Sequence, residues 1–245
     1  MNASRKLSRN AFLKKTLGVT IGSMTLNGTS ASHASGISKR YRGIDSSKYL
    51  GKVEKITRVT DRKVFLEGPA VNRAGDVLFT NVPMEKILKW SPSEKKLTVF
   101  REKSNKANGL LFDPQGRLLA CEGGAGRVTR TDLKTGKIEV LADKFNGFPL
   151  AAPNDLELTA SGKLFFTSRP GTTDPSKGNP NAVYRLDLDT KLPGGRILHQ
   201  VLAWPKVHMP NGIVCSPDGK TLYVIEAHPD AKHNRSILAF DLASD

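Results

Sequence analysis

Four polar side chains recur at one place in a repeated pattern. Glu67, Asn108, Asn154 and Asn211 each stand eight residues before a glycine, respectively Gly75, Gly116, Gly162 and Gly219. If the four segments are structurally equivalent, four side-chain oxygens converge on one axis. One carboxylate with neutral amides suits a hard divalent cation such as calcium or magnesium, which takes oxygen ligands. It does not suit a structural zinc site, which wants Cys or His. Asn and Asp also cap turns on their own account. Glu67 separates the two readings, because a glutamate directly before Gly68-Pro69 has no turn-capping preference.

The elements that must position these residues are short strands. After each polar residue comes a turn with explicit chemistry: Asp113-Pro114-Gln115-Gly116, Thr159-Ala160-Ser161-Gly162 and Pro217-Asp218-Gly219. Such turns place Pro, Asp or Ser early and Gly where positive φ is wanted. A β-rich strand follows, and then a strand ending polar: Ile87–Ser91, Val128–Asp132, Val183–Asp187 and Ile237–Asp241. The turn glycines are 41, 46 and 57 residues apart, which brackets the length of a four-stranded propeller blade. The expected fold is therefore all-β, a β-propeller with about four blades present. A β-sandwich is the competing architecture, but it does not require one polar residue to recur in every repeat. The fourth repeat finishes only its third strand by Asp241, so the expectation is a larger propeller with an open edge here, an aggregation hazard.

Composition narrows the class. The chain has 245 residues, 38% hydrophobic and 25% charged, enough for one domain with a sizeable core and inconsistent with general disorder. Two cysteines exclude a disulfide framework, and no apolar run approaches the roughly 18 residues of a membrane-spanning helix. The net charge of +15 invites a nucleic-acid reading. However, residues 1–50 carry nine Lys and Arg against the single acid Asp45, so +8 of it lies there. The remaining bases are interspersed with acids, without a basic helix or a stacking motif, so no nucleic-acid partner is expected.

That basic leader reads as an export signal over residues 1–34. Arg5, Lys6, Arg9, Lys14 and Lys15 precede the uncharged run Thr16–Leu26, and small residues follow at Thr29-Ser30-Ala31 and Ser32-His33-Ala34. Ser8-Arg9-Asn10-Ala11-Phe12-Leu13-Lys14 resembles a twin-arginine signal with Asn10 in place of the second arginine, which leaves open whether the protein crosses folded or unfolded. A surface amphipathic helix is disfavoured by Gly18, Gly22 and Gly28. The expectation is periplasmic or secreted protein, a linker over 35–50, a propeller over 51–245, and no stable membrane insertion once the signal is removed.

A set of motifs resembles a known family. Leu66-Glu67-Gly68-Pro69-Ala70, Phe79-Thr80-Asn81 with Lys86-Ile87-Leu88-Lys89-Trp90, Ala107-Asn108-Gly109-Leu110, Cys121-Glu122-Gly123-Gly124, Ala152-Pro153-Asn154-Asp155-Leu156 and Met209-Pro210-Asn211-Gly212-Ile213 occur in this order. Together they look like the senescence-marker-protein/gluconolactonase/luciferin-regenerating-enzyme family, which includes regucalcin and bacterial sugar lactonases. The resemblance implies a six-bladed propeller that hydrolyses a small-molecule lactone with one divalent cation in its channel. The expected ion is calcium; magnesium and zinc are the other candidates.

By the same resemblance Glu67, Asn154 and Asn211 are metal ligands and Asn108 belongs to the substrate pocket. The family's remaining ligand, an Asp in an Asp-Gly motif and also its proposed general base, is expected beyond Asp245. No catalytic residue is therefore assigned, and the chain alone is expected to be inactive or nearly so. Asn81 stands where many members carry Asp, and Ala152 where regucalcin-like members carry a substrate-binding arginine. The competing function is a non-catalytic propeller that binds a sugar or a protein partner, since fold alone does not set function.

Other residues read more plainly. His208 fits an exposed loop better than the channel mouth, and His228 and His233 lack a helical metal-binding spacing. Cys121 and Cys215 are expected as free buried thiols, and Trp90 and Trp204 as blade-packing aromatics. Glu122 fits pocket and turn equally well. The long loop Pro170–Pro180 is where substrate selectivity is expected.

Overall fold

The first three repeats each fold into a four-stranded antiparallel sheet and the fourth supplies three strands, because successive residues of each strand alternate between two faces and the turns supply the reversals. A computed structural model describes Arg5–Ser8 as backbone, with residues 52–188, 196–230, 232–233 and 235–242 in full. Apart from Arg5–Ser8, the expected export signal and linker lie outside the described residues.

In chain order, strand β1 is Arg5–Ser8. Blade one follows with β2 (Leu66–Val71), β3 (Val77–Asn81), β4 (Lys86–Ser91) and β5 (Lys96–Arg101). Blade two has β6 (Ala107–Phe112), β7 (Leu118–Glu122), β8 (Arg127–Thr131) and β9 (Ile138–Ala142). A small hairpin, β10 (Lys144–Phe145) with β11 (Phe148–Pro149), precedes blade three. Blade three has β12 (Pro153–Leu158), β13 (Lys163–Ser168), β14 (Ala182–Asp187) and β15 (Ile197–Ala203). Blade four has β16 (Pro210–Cys215), β17 (Thr221–Glu226) and β18 (Ser236–Asp241), with β1 paired antiparallel to β18 as the outermost strand. The fourth repeat itself thus supplies three strands, as expected, and the fourth strand of its sheet comes from Arg5–Ser8 at the start of the chain. The turns behave as read; Asp113 Oδ1 accepts from the N–H groups of Gln115 and Arg117, and Gly116 closes the reversal at φ 78°.

The blades stack in sequence order, β2 against β6, β6 against β12 and β12 against β16. Period-two alternation makes this possible, since successive side chains of a strand serve opposite neighbours. In β13, Leu164 and Phe166 join the core shared with blade two, while Phe165 joins the core shared with blade four. Ala70, Leu78 and Ile87 of blade one meet Ala107, Leu110, Leu118 and Ala120 of blade two. The alternation leaves Val71 of blade one and Val214, Ile225 and Ile237 of blade four on faces turned away from these cores, where all four are exposed.

Two packing expectations are corrected. Trp204 lies 46% exposed at the turn after β15, so it does not pack between blades. Cys215 is only half-buried, near the end of the innermost strand of blade four, whereas Cys121 is fully buried; both are free thiols. No helix among the described residues is long and apolar enough to cross a membrane.

Candidate functional site

The four repeated polar residues sit in the same structural defect. In every innermost strand the pairing slips by one residue at one place: between Glu67 and Ala70, Ala107 and Leu110, Pro153 and Leu156, and Pro210 and Ile213. A β-bulge of this kind re-aims a side chain and frees backbone groups from the ladder. Asn108, Asn154 and Asn211 are the first residues of their bulges and the equivalent Glu67, still paired with Thr80, borders its own; Gly68, Gly109, Asp155 and Gly212 come directly after them.

Successive bulges pack directly on one another. Gly68 has φ +53°, and a Cβ there would fall 2.1 Å from the carbonyl oxygen of Asn108. A Cβ on Gly109 would fall 2.6 Å from Asp155 Oδ1 and 2.9 Å from the Asn154 carbonyl oxygen. Only glycine permits so close an approach.

Glu67, Asn108 and Asn211 share a cavity of about 300 Å³ with Asp155 and the apolar Pro69, Leu110 and Leu156. Asn154 does not line it but is 7% exposed, and its Oδ1 has no hydrogen-bond partner among the described residues. A buried amide oxygen without a donor is costly, and native structures rarely tolerate one unless something absent satisfies it. Among the described residues no three His, Cys, Asp or Glu cluster as a metal site, so any cation here would rely on amide oxygens.

Asp155 is the residue that sequence reasoning missed. It stands where blades one, two and four carry glycine, and it brings a second carboxylate to the cavity. Its Oδ2 accepts from the Ile213 N–H of blade four at 3.2 Å and its Oδ1 from the Leu156 N–H at 3.0 Å. Burial pushes its pKa up, the two backbone donors pull it down, and the charge of Glu67 raises it further. The signal available was its place in Pro153-Asn154-Asp155, one residue past the asparagine.

Arg169 was also missed. Burial pulls its pKa down while Glu67 favours its charge, and its Nε is buried without a partner among the described residues. Its backbone N–H donates to the Ala152 carbonyl at 2.9 Å.

The segments leading into the bulges are held by the last residue of each second strand. Asn81 Oδ1 accepts from the Phe65 N–H (3.1 Å), Ser168 Oγ from Ala152 (3.2 Å), and the Glu226 carboxylate from His208 (3.0 Å) and Met209 (3.2 Å). Glu122 is the fourth of this set, which resolves its role. It is fully buried and takes Arg101 (2.6 Å), Asn105 (2.8 Å), Arg127 (2.9 Å) and Thr129 (2.9 Å) on its two oxygens. Burial would raise its pKa, but Arg101 and the three further donors outweigh that and hold it below the usual carboxylate range.

The histidines pack on one another: His228 stacks on His233 at 3.8 Å between ring centroids, and His208 meets His233 edge-on at 5.2 Å. The loop Pro170–Pro180 is tied to hairpin β10–β11, because the buried Asn179 amide donates to the carbonyls of Phe145, Phe148 and Pro149.

These features define a β-propeller with a polar cavity where its innermost strands bulge. The chain belongs to the family described as SMP-30/Gluconolactonase/LRE-like region, which it matches over residues 65–245. It is similar to a gluconolactonase of Zymomonas mobilis, 26% identical over 249 residues, covering 89% of this chain and 67% of that protein. It is similar also to the lactonase drp35 of Staphylococcus epidermidis, 27% identical over 186 residues, covering 74% of this chain and 53% of that protein. Among solved structures, a gluconolactonase of Xanthomonas campestris superposes with a TM-score of 0.61 at 30% identity, covering 75% of this chain and 60% of that one. The chain thus spans between about half and two thirds of the length of these relatives.

Proposed function

We propose that the protein is a metal-dependent hydrolase of a sugar lactone. One observation carries this reading: Glu67, Asn108 and Asn211, equivalent by repeat and by bulge, surround one cavity with Asp155, while the neighbouring Asn154 keeps a buried oxygen unpaired. Family membership and relatives named gluconolactonase and lactonase support lactone chemistry in general.

The donor set fits a hard divalent cation, with Glu67, Asn154 and Asn211 holding it and calcium the expected occupant. When bound, such an ion polarises a lactone carbonyl as a Lewis acid and lowers the pKa of an attacking water. The residues present do the rest of the binding. Asn108 offers an amide to the substrate's hydroxyls, and Asp155 adds negative charge, so the cation faces two carboxylates rather than one. Pro69, Leu110 and Leu156 form the apolar wall that restricts water around the ring. Arg169 offers a cation to the carboxylate that ring opening releases. The proposal includes export to the periplasm or beyond, on the strength of the basic leader and its small-residue exit.

The test is hydrolysis of gluconolactone by the full-length protein before and after chelation, with calcium then restored. The expected result is loss of rate in chelator and recovery with calcium, together with a fall in melting temperature when the ion is removed. Hydrolysis that ignores chelator would overturn the metal's role, and no hydrolysis by the full-length protein with metal present would overturn the lactonase reading; the 245-residue chain on its own is expected to show little or none.

A further inference from the structure

Two buried hydroxyls each join one blade's bulge to the bulge of the next blade. Thr167 lies at 0% exposure one residue before the end of β13; its Oγ1 accepts from the Asp155 N–H at 3.1 Å and donates to the Asn211 carbonyl at 2.7 Å. Thr80 holds the same register near the end of β3, also at 0% exposure. Its Oγ1 reaches the Asn108 carbonyl at 3.0 Å and the Glu67 carbonyl at 3.1 Å. A bulge removes backbone groups from their own ladder, so the freed carbonyl needs a donor from elsewhere. In both cases that donor comes from the preceding blade.

We infer that Thr167 is a positioning residue for Asn211, and Thr80 for Asn108. The hydroxyl fixes the backbone from which the site side chain springs, and so sets where the amide points. The inference rests on the proposed role of Asn211 as a cation ligand. The other two blades depart in an informative way. Blade two carries Cys121 at this register, a weak donor, and the Asn154 that follows it is the site residue with an unpaired side-chain oxygen. Blade four carries Ile225, which has no donor and lies on the outward face.

The experiment compares wild type, T167V, T167S and T129V by calcium titration calorimetry and by NMR of the Asn211 side-chain amide without metal. Thr129 is an equally buried hydroxyl that binds Glu122 in blade two rather than the Asn211 bulge of blade four, so T129V controls for simple loss of stability in the readout on Asn211. T167V should weaken calcium binding about tenfold or more, the usual effect of losing a residue that orients a ligand. T167S should restore it, and T129V should leave it near wild type. In metal-free protein the Asn211 amide should be sharp in wild type and T167S and broadened or shifted in T167V; T80V should do the same to Asn108. An unchanged Asn211 resonance in T167V, or equal weakening of calcium by T129V, overturns the positioning role. Wild-type protein that takes up no calcium while T167V still perturbs Asn211 overturns the metal reading and leaves the positioning role standing.

Discussion

Glu122 shows what a single side chain can decide. Its folded pKa lies below the unfolded value, so the stability it contributes is present above the unfolded pKa and is lost as pH falls through the folded one. Glu122→Gln should therefore flatten the acid limb of stability against pH, measured by urea unfolding from pH 7 down to pH 3. At neutral pH it should cost about 3 kcal/mol, because Arg101 would be left buried without its counter-charge. An acid limb identical to wild type would show that the pairing contributes nothing. The thiols make a second prediction at this scale. Burial pushes the Cys121 thiol well up, and burial with Glu157 nearby pushes that of Cys215 up to about 11. Neither should react quickly with a disulfide reagent at pH 8 in the native protein, whereas both should titrate once it is unfolded.

At the scale of the strand, the sequence was readable where information is local. A polar residue eight positions before a turn glycine identified the four equivalent places in the innermost strands, since the turn fixes the register of the hairpin that contains both, although it gave no sign that each place carries a bulge. What was not readable depends on blades meeting through space. Asp155 reaches Ile213 58 residues away, and Thr167 reaches Asn211 44 residues away; no spacing rule within one repeat announces either contact. Glu122 was ambiguous for the same reason, because its principal partner Arg101 belongs to the blade before it. Trp204 was misread because aromatic type suggested packing, while its actual place is a turn between blades. The residue pattern thus marks which strands carry the site, and the stacking of blades decides which neighbours complete it.

At the scale of the molecule, the outward faces of the first and fourth blades matter most. Among the described residues, Val71 of blade one (61% exposed) and Val214 (52%) and Ile237 (45%) of blade four present apolar side chains with no blade against them. Exposed apolar faces of that kind associate with themselves or with another partner. The 245-residue chain should self-associate as its concentration rises, seen as growing mass by light scattering on a sizing column. A combined Val214→Lys and Ile237→Lys variant should shift it toward monomer at little cost in melting temperature, since surface changes rarely exceed about 0.5 kcal/mol. A monodisperse monomer at every concentration would mean those faces are already satisfied.

The Asn179 amide has a consequence of its own. By gripping three carbonyls of the neighbouring hairpin it welds loop and hairpin into one stiff unit. Losing the Asn179 amide would therefore free two surface segments together rather than one, because the hairpin carbonyls and the loop share that single clamp.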